Sequence, residues 1–260
     1  MTVRRELVPF LIIPFVVAAV VLSARVQSAA SLPAGQTTAQ VAQPVSGQTS
    51  GQLGSTQHSA LALVVLDPAH GGTDQGARGS TGITESDAVL GIARLVRISL
   101  EGQGLRALLT RQANEGPSFD ERSKIANSQR DAIFISLHVS STGQPGTVRV
   151  YSLAPDTAPS AQHGGLISWD HAQSGSQDLS RKLAELLQIQ MAQRFHSSPE
   201  TPLTARVRQL RTIAIPAVAI EISSVSLPDR GPLDQMSPAF ADAVARAVAA
   251  FRLVYESGGQ

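Results

Sequence analysis

Apolar runs alternate with stretches of helical periodicity from residue 61 to the end of the chain. Short runs rich in Val, Leu, Ile and Ala predict a buried β-strand at residues 61–66 and further apolar strands at residues 132–137 and 215–222. Residues 105–110 are a strand candidate, and the alternation at residues 147–153 predicts a half-exposed strand. Apolar residues recurring every three or four positions predict helices around residues 89–100, 119–129, 179–191 and 240–251. Strands alternating with helices predict an α/β fold, a single domain with a largely parallel sheet flanked by helices. A Pro-, Gln-, Ser- and Gly-rich stretch at residues 154–176 predicts a long surface loop.

The N-terminal region has the pattern of an exported protein. Arg4 and Arg5 precede an uncharged apolar run at residues 7–24, so residues 1–27 are predicted to be a signal peptide or an N-terminal membrane anchor. The pattern leaves cleavage undecided. Either outcome predicts a location in the periplasm or cell envelope, with anchoring in the inner membrane if the segment is retained. Residues 28–60 are rich in Gln, Ser, Thr, Ala and Gly, which is typical of a flexible linker.

Charge and cysteine content exclude several classes of function. The formal net charge of +1 gives no electrostatic basis for a nucleic-acid partner. The chain has no cysteine, so disulfides, thiolate nucleophiles and cysteine-bound metals are all excluded.

Polar residues stand where the predicted strands end. His70 follows the first strand, His138 follows the third, and Glu221 stands at the end of the fifth. Glu85 begins the first helix after a Gly-rich loop. Because ligands of open α/β sheets bind beyond the carboxyl ends of the strands, these four side chains are expected to meet at one edge. Each also has a structural explanation, and Glu85 could simply favour the positive end of the helix dipole with Thr84 as N-cap.

Two imidazoles and one carboxylate make a three-ligand zinc site that leaves one position for water. His70, Glu85 and His138 fit the ligand roles. A carboxylate that does not bind the metal can take a proton from that water and pass it to a leaving amine, and Glu221 fits this role. The set therefore predicts hydrolysis of an amide bond.

Four blocks of residues match the motifs of one known family, in the same order. They are residues 67–72 (Asp-Pro-Ala-His-Gly-Gly), residues 110–111 with 121–127, residues 135–138 (Ile-Ser-Leu-His) and residues 216–221 (Pro-Ala-Val-Ala-Ile-Glu). Glu85 follows His70 by fifteen positions, which is the family's spacing. The chain thus resembles the zinc-dependent N-acetylmuramoyl-L-alanine amidases, the third amidase type of bacterial cell-wall hydrolases.

This resemblance implies a zinc amidase catalytic domain at residues 61–256 with a six-stranded sheet and one zinc ion per chain. The implied ligands are His70, Glu85 and His138, with Glu221 as the catalytic base. The implied reaction cleaves the bond between the lactyl group of N-acetylmuramic acid and the L-alanine of the stem peptide. Peptidoglycan is the implied partner, and the need for an activator protein stays open.

The sequence departs from the family pattern close to these residues. Ala69 replaces a Gly, Ser140 replaces an Asn, and Ser223 and Ser224 stand where Gly-Phe is usual. Residues 154–176 lie where some family members carry an inhibitory helix. The Pro, Gly and Ser content of this stretch predicts a mobile flap instead. Trp169 in this flap either stacks on a sugar or packs on the domain surface. Two alternatives to the amidase remain: a relative that binds or regulates without catalysis, and a zinc peptidase acting on another amide.

Overall fold

One six-stranded sheet organises the part of the chain that the computed structural model describes, which is residues 60–155, 168–225 and 230–258. The strands are β1 Leu63–Pro68, β2 Arg106–Leu109, β3 Ala132–Ser140, β4 Val148–Leu153, β5 Leu203–Ala205 and β6 Ala217–Ser223. The helices are α1 Glu85–Glu101, α2 Phe119–Asn127, α3 Gln177–Arg194, α4 Arg208–Arg211 and α5 Gly231–Glu256, with a 3-10 helix at Trp169–Ser176. The N-terminal segment and linker predicted for residues 1–60 lie outside the described residues, apart from residue 60.

The strand order is β2-β1-β3-β6-β4-β5. Neighbouring strands are parallel except β4 and β6, which are antiparallel. The predicted α/β fold, with a single domain and a largely parallel six-stranded sheet, is confirmed. Among the described helices, none combines the length and the apolar character needed to cross a membrane.

Both faces of the sheet are covered. Ile133, Ile135 and Leu137 of β3 join the larger core, which α1, α3 and α5 complete. The alternate residues Ala132 and Phe134 join a smaller core with residues of α2 and α4. Because both faces are buried, the strands are nearly continuous apolar runs, which is why the sequence pattern detected them.

Two boundaries differ from the predicted ones in ways that affect the site. β3 continues to Ser140, because β6 pairs with it as far as Ser223. His138 and Glu221 therefore lie within strands, directly opposite each other, and His138 does not follow its strand as predicted.

The predicted loop at residues 154–176 is wrong at its C-terminal end. The 3-10 helix forms there because buried Gln173 donates hydrogen bonds to the carbonyls of Ile213 (2.9 Å) and Ile215 (2.9 Å). Residues 156–167 lie outside the described residues, so the flap stays a prediction. Trp169 is 54% exposed, and its sugar-stacking role also stays a prediction.

Candidate metal centre and active-site cleft

Three of the four predicted site residues converge on one point. His70 lies in the loop after β1, Glu85 is the first residue of α1, and His138 is in β3. Their nearest ligand atoms all lie within 4.8 Å of one another. His70 Nε2 is 3.1 Å from Glu85 Oε2, and His138 Nδ1 is 2.9 Å from Glu85 Oε1. The two imidazole rings are edge to face, with centroids 5.6 Å apart.

The other nitrogen of each imidazole has its own partner. His70 Nδ1 lies 2.8 Å from Asp74 Oδ2. His138 Nε2 lies 3.3 Å from Ser136 Oγ, which donates to Asp67 Oδ2 at 2.9 Å. When the outer nitrogens carry the protons, the inner lone pairs of both rings point at the Glu85 carboxylate. Outer partners of this kind orient the histidine ligands of metal sites.

Glu85 is buried and held by its surroundings. Its carboxylate accepts backbone hydrogen bonds from Ala77 (2.9 Å) and Val139 (3.1 Å). Burial acts to raise the pKa of Glu85, but hydrogen bonds from His138, His70 and the Ala77 amide outweigh it and lower the pKa far below its usual range. The residue is therefore an anion at neutral pH. Thr84 is the N-cap of α1, as predicted from the sequence. The positive end of the helix dipole also favours the Glu85 anion in the first turn.

The donor set fits a divalent cation. The hydrogen bond with Glu85 raises the pKa of His70 to about 9, against the opposing effect of burial and with help from Asp74. The metal-free site thus attracts a proton to the point between imidazole and carboxylate. The lone pairs of neutral imidazoles repel a facing carboxylate unless a positive charge lies between them. Two imidazoles with one carboxylate are a ligand set for zinc.

Two buried arginines fix the backbone that leads into His70. Arg122 binds the Asp67 carboxylate and donates to the carbonyls of Pro68 (3.1 Å) and His70 (2.7 Å). Arg111 donates to the carbonyls of Pro68 (2.8 Å) and Ala69 (3.0 Å). These contacts hold His70 in the left-handed region, at φ 61°.

The left-handed φ falls on His70 and Gly71, and not on Ala69. Because Ala is strained only where φ is positive, Ala69 in place of the family's Gly carries no such backbone strain.

Glu221 lies on β6 opposite His138, on the same face of the sheet. Its side chain is 33% exposed, and Arg149 Nη1 on β4 is 3.7 Å from its Oε1. The same Arg149 nitrogen donates to Ser223 Oγ at 3.0 Å, and Ser223 Oγ lies 3.4 Å from Ser140 Oγ. Two of the residues that depart from the family pattern thus form a polar cluster beside Glu221.

A cleft of about 260 Å³ opens over the histidines. Its lining contains His70 and His138 together with residues from three segments: Gly116–Pro117–Ser118 before α2, Phe119 at its start, and Gln209 in α4. Glu221 is not among the lining residues and lies beside the cleft on the neighbouring strand.

Sequence reasoning missed the residues that support the ligands. Asp74 was not singled out, although its spacing of four from His70 within a Gly-rich loop was a usable signal. Asp67, Arg111 and Arg122 were seen only as parts of matching blocks. The contacts of Asp67 with Thr110 and Arg122, and of Arg111 with Pro68, span more than 40 positions, so no local pattern revealed them.

Residues 64–250 match the family profile described as N-acetylmuramoyl-L-alanine amidase. The N-acetylmuramoyl-L-alanine amidase AmiA of Salmonella typhimurium is 38% identical over 101 residues, which are 38% of this chain and 35% of that protein. The amidase AmiC of Neisseria meningitidis is 25% identical over 205 residues, 69% of this chain and 49% of that protein. The chain thus matches about a third to a half of the length of these relatives.

The solved structure of the N-acetylmuramoyl-L-alanine amidase AmiC2 of Nostoc punctiforme is similar to this fold. The two align with a TM-score of 0.56 and 27% identity, over 74% of this chain and 98% of that one.

Proposed function

The chain belongs to the N-acetylmuramoyl-L-alanine amidase family, and from that membership and the metal centre we propose that it hydrolyses peptidoglycan with one zinc ion per chain. The bond cleaved joins the lactyl carbonyl of N-acetylmuramic acid to the amine of L-alanine. The observation that carries the proposal is the convergence of His70 Nε2, His138 Nδ1 and the Glu85 carboxylate within 4.8 Å, beside a further carboxylate on the next strand.

Each residue has a defined role in this reaction. His70, Glu85 and His138 hold the metal, and a zinc ion bound there would acidify a water molecule and polarise the scissile carbonyl. Glu221 accepts the proton of the attacking water and delivers it to the L-alanine nitrogen as the C–N bond breaks. Arg149 Nη1 lies 3.7 Å from Glu221 Oε1 and is the cation nearest to this carboxylate on the neighbouring strand β4.

Zinc content and hydrolysis of purified sacculi test the proposal together. The full-length chain is prepared in mild detergent as wild type and as Glu221→Gln, with Glu200→Gln as a control for loss of an exposed carboxylate outside the cleft. All three proteins are expected to hold one zinc per chain. Only Glu221→Gln is expected to lose hydrolysis, by about a hundredfold or more, because a general base contributes 10²–10⁴-fold.

Mass spectrometry of the products identifies the bond. A free amine on L-alanine supports the amidase, whereas a new amine elsewhere in the peptide supports the zinc peptidase. Zinc binding without hydrolysis by the wild type favours a binding module or an enzyme that requires an activator. No zinc in any protein would refute the site assignment.

We also propose that residues 61–256 form the catalytic domain and act outside the cytoplasm. The basic residues followed by an apolar run at residues 7–24 support export, and the substrate lies in the cell wall. Fractionation of cells, with the mass of the mature chain, distinguishes an anchored from a cleaved form.

A further inference from the structure

An exposed aromatic ring lines the cleft that carries the histidines, and an arginine lies over that ring. Phe119 begins α2, lines the cleft, and keeps 45% of its surface exposed. The Arg208 guanidinium lies over this ring, with Cζ 4.4 Å from the ring centroid. Stacking of this kind is worth about 0.5–1 kcal/mol at an exposed site, so it orients the guanidinium.

Hydrogen bonds connect the two helices beneath this pair. Gln209, the next residue after Arg208, is buried and donates to Ser123 Oγ (2.9 Å) and to the Phe119 carbonyl (3.3 Å). Ser123 Oγ lies 2.6 Å from Thr212 Oγ1, which ties the end of α4 to α2 as well. The two helices therefore present Phe119 and Arg208 in a fixed relative position.

Arg208 carries a positive charge beside the Phe119 ring. Across residues 60–155, 168–225 and 230–258, no carboxylate pairs with it, whereas nearby Arg211 pairs with Asp170 at 3.1 Å. The N–H donors of a guanidinium form a planar fork that can bind a carboxylate with two parallel hydrogen bonds.

We propose that Phe119 and Arg208 form a subsite for the stem peptide, in which Arg208 binds the α-carboxylate of the acidic residue that follows L-alanine. The inference rests on the proposed function, which places the L-alanine amide at the histidine end of the same cleft. A peptide continuing along the cleft is anionic, and this pair supplies the matching charge on an apolar support. The subsite thus distinguishes a free carboxylate from its amide.

Two soluble muropeptides that differ only in that group test the subsite. One carries a free α-carboxylate on the second residue, and the other carries the carboxamide. The full-length chain is compared as wild type, Arg208→Gln and Phe119→Leu, with Arg206→Gln as the matched control, since Arg206 is exposed on the same segment. KM and kcat are measured for both substrates, and affinities of the corresponding free stem peptides are measured by calorimetry.

Arg208→Gln is expected to raise KM for the carboxylate substrate about tenfold, because a hydrogen bond to a charged group is lost. Its kcat is expected to stay unchanged, since the contact is the same in ground state and transition state. The amidated substrate is expected to respond to neither arginine variant, and Phe119→Leu is expected to give a smaller rise in KM.

Equal effects of Arg208→Gln on both substrates, or none on either, would overturn the subsite. A loss of affinity in Phe119→Leu alone would assign the ring to sugar or peptide stacking and would also overturn it. If the wild type cleaves neither substrate, the proposed function fails. The calorimetric comparison of the two stem peptides then still decides whether Arg208 selects a carboxylate.

Discussion

Gly76 lies against two of the proposed metal ligands, Glu85 and His70, and gives the sharpest test of the proposed centre. A Cβ placed on Gly76 would be 2.5 Å from Glu85 Oε2 and 2.6 Å from His70 Cδ2. Gly82, in the same Gly-rich loop, has nothing within 4 Å of such a Cβ. Both glycines have a left-handed φ, at +64° and +85°, so Gly76→Ala and Gly82→Ala carry a similar backbone strain of about 1–2 kcal/mol.

The difference between the variants therefore measures the contact with the ligands. Because ordinary contacts begin near 3.4 Å, Glu85 or His70 must move by roughly 1 Å to admit the methyl group, whereas metal–ligand distances tolerate about 0.2 Å. Gly76→Ala is expected to weaken zinc binding by at least about tenfold relative to Gly82→Ala. It is also expected to cost a further 1–3 kcal/mol of unfolding free energy, the usual penalty of overpacking.

Competition with a chromophoric chelator measures the zinc affinity, and urea unfolding of the metal-free proteins measures the stability. The unfolding curves also show that both variants are folded before affinities are compared. Zinc affinities of the two variants within about twofold of each other would refute the placement of Gly76 against the ligands.

Loss of the buried Asp67 charge is expected to be costly, because it leaves Arg122 without its counter-ion. Asp67→Asn should lower the unfolding free energy by about 3–5 kcal/mol. The control Asp234→Asn, which breaks the exposed ion pair with Arg230, should lower it by less than about 1 kcal/mol. Equal losses in urea unfolding of the two variants would contradict this. The pH dependence follows from His70, whose pKa in the metal-free protein is raised to about 9 by Glu85. Since the folded-state pKa exceeds the usual 6.5, the contribution of protonated His70 to stability is complete below pH 6.5 and is lost as the pH rises through about 9. Zinc affinity is expected to rise over the same range, because zinc binding displaces the proton. A chelator titration showing no dependence of zinc affinity on pH would contradict this.

The sequence predicted the longer strands and helices and missed two of the shortest elements. β5 spans three residues, Leu203–Ala205, and none of them is buried. α4 spans four residues and is too short for a helical period to register. Both elements are held by their neighbours: β5 pairs with β4, and Gln209 of α4 bonds to α2. Their existence depends on tertiary contacts that a local pattern does not contain.

The support of the candidate metal centre was partly visible in the sequence as polar residues that interrupt the apolar pattern of the strands. Ser136 and His138 occupy alternate positions of β3, and Asp67 stands opposite Ser136 on β1. In an α/β sheet with both faces covered, a polar side chain within a strand must find a partner, because burying it alone costs about 1–3 kcal/mol. Polar residues on the same face of adjacent strands therefore predict a hydrogen-bonded network between those strands. The sequence does not identify the more distant partner, Arg122, which only the fold brings into contact. The network links Arg122 through Asp67 and Ser136 to His138, so the orientation of one proposed metal ligand depends on a buried charge pair.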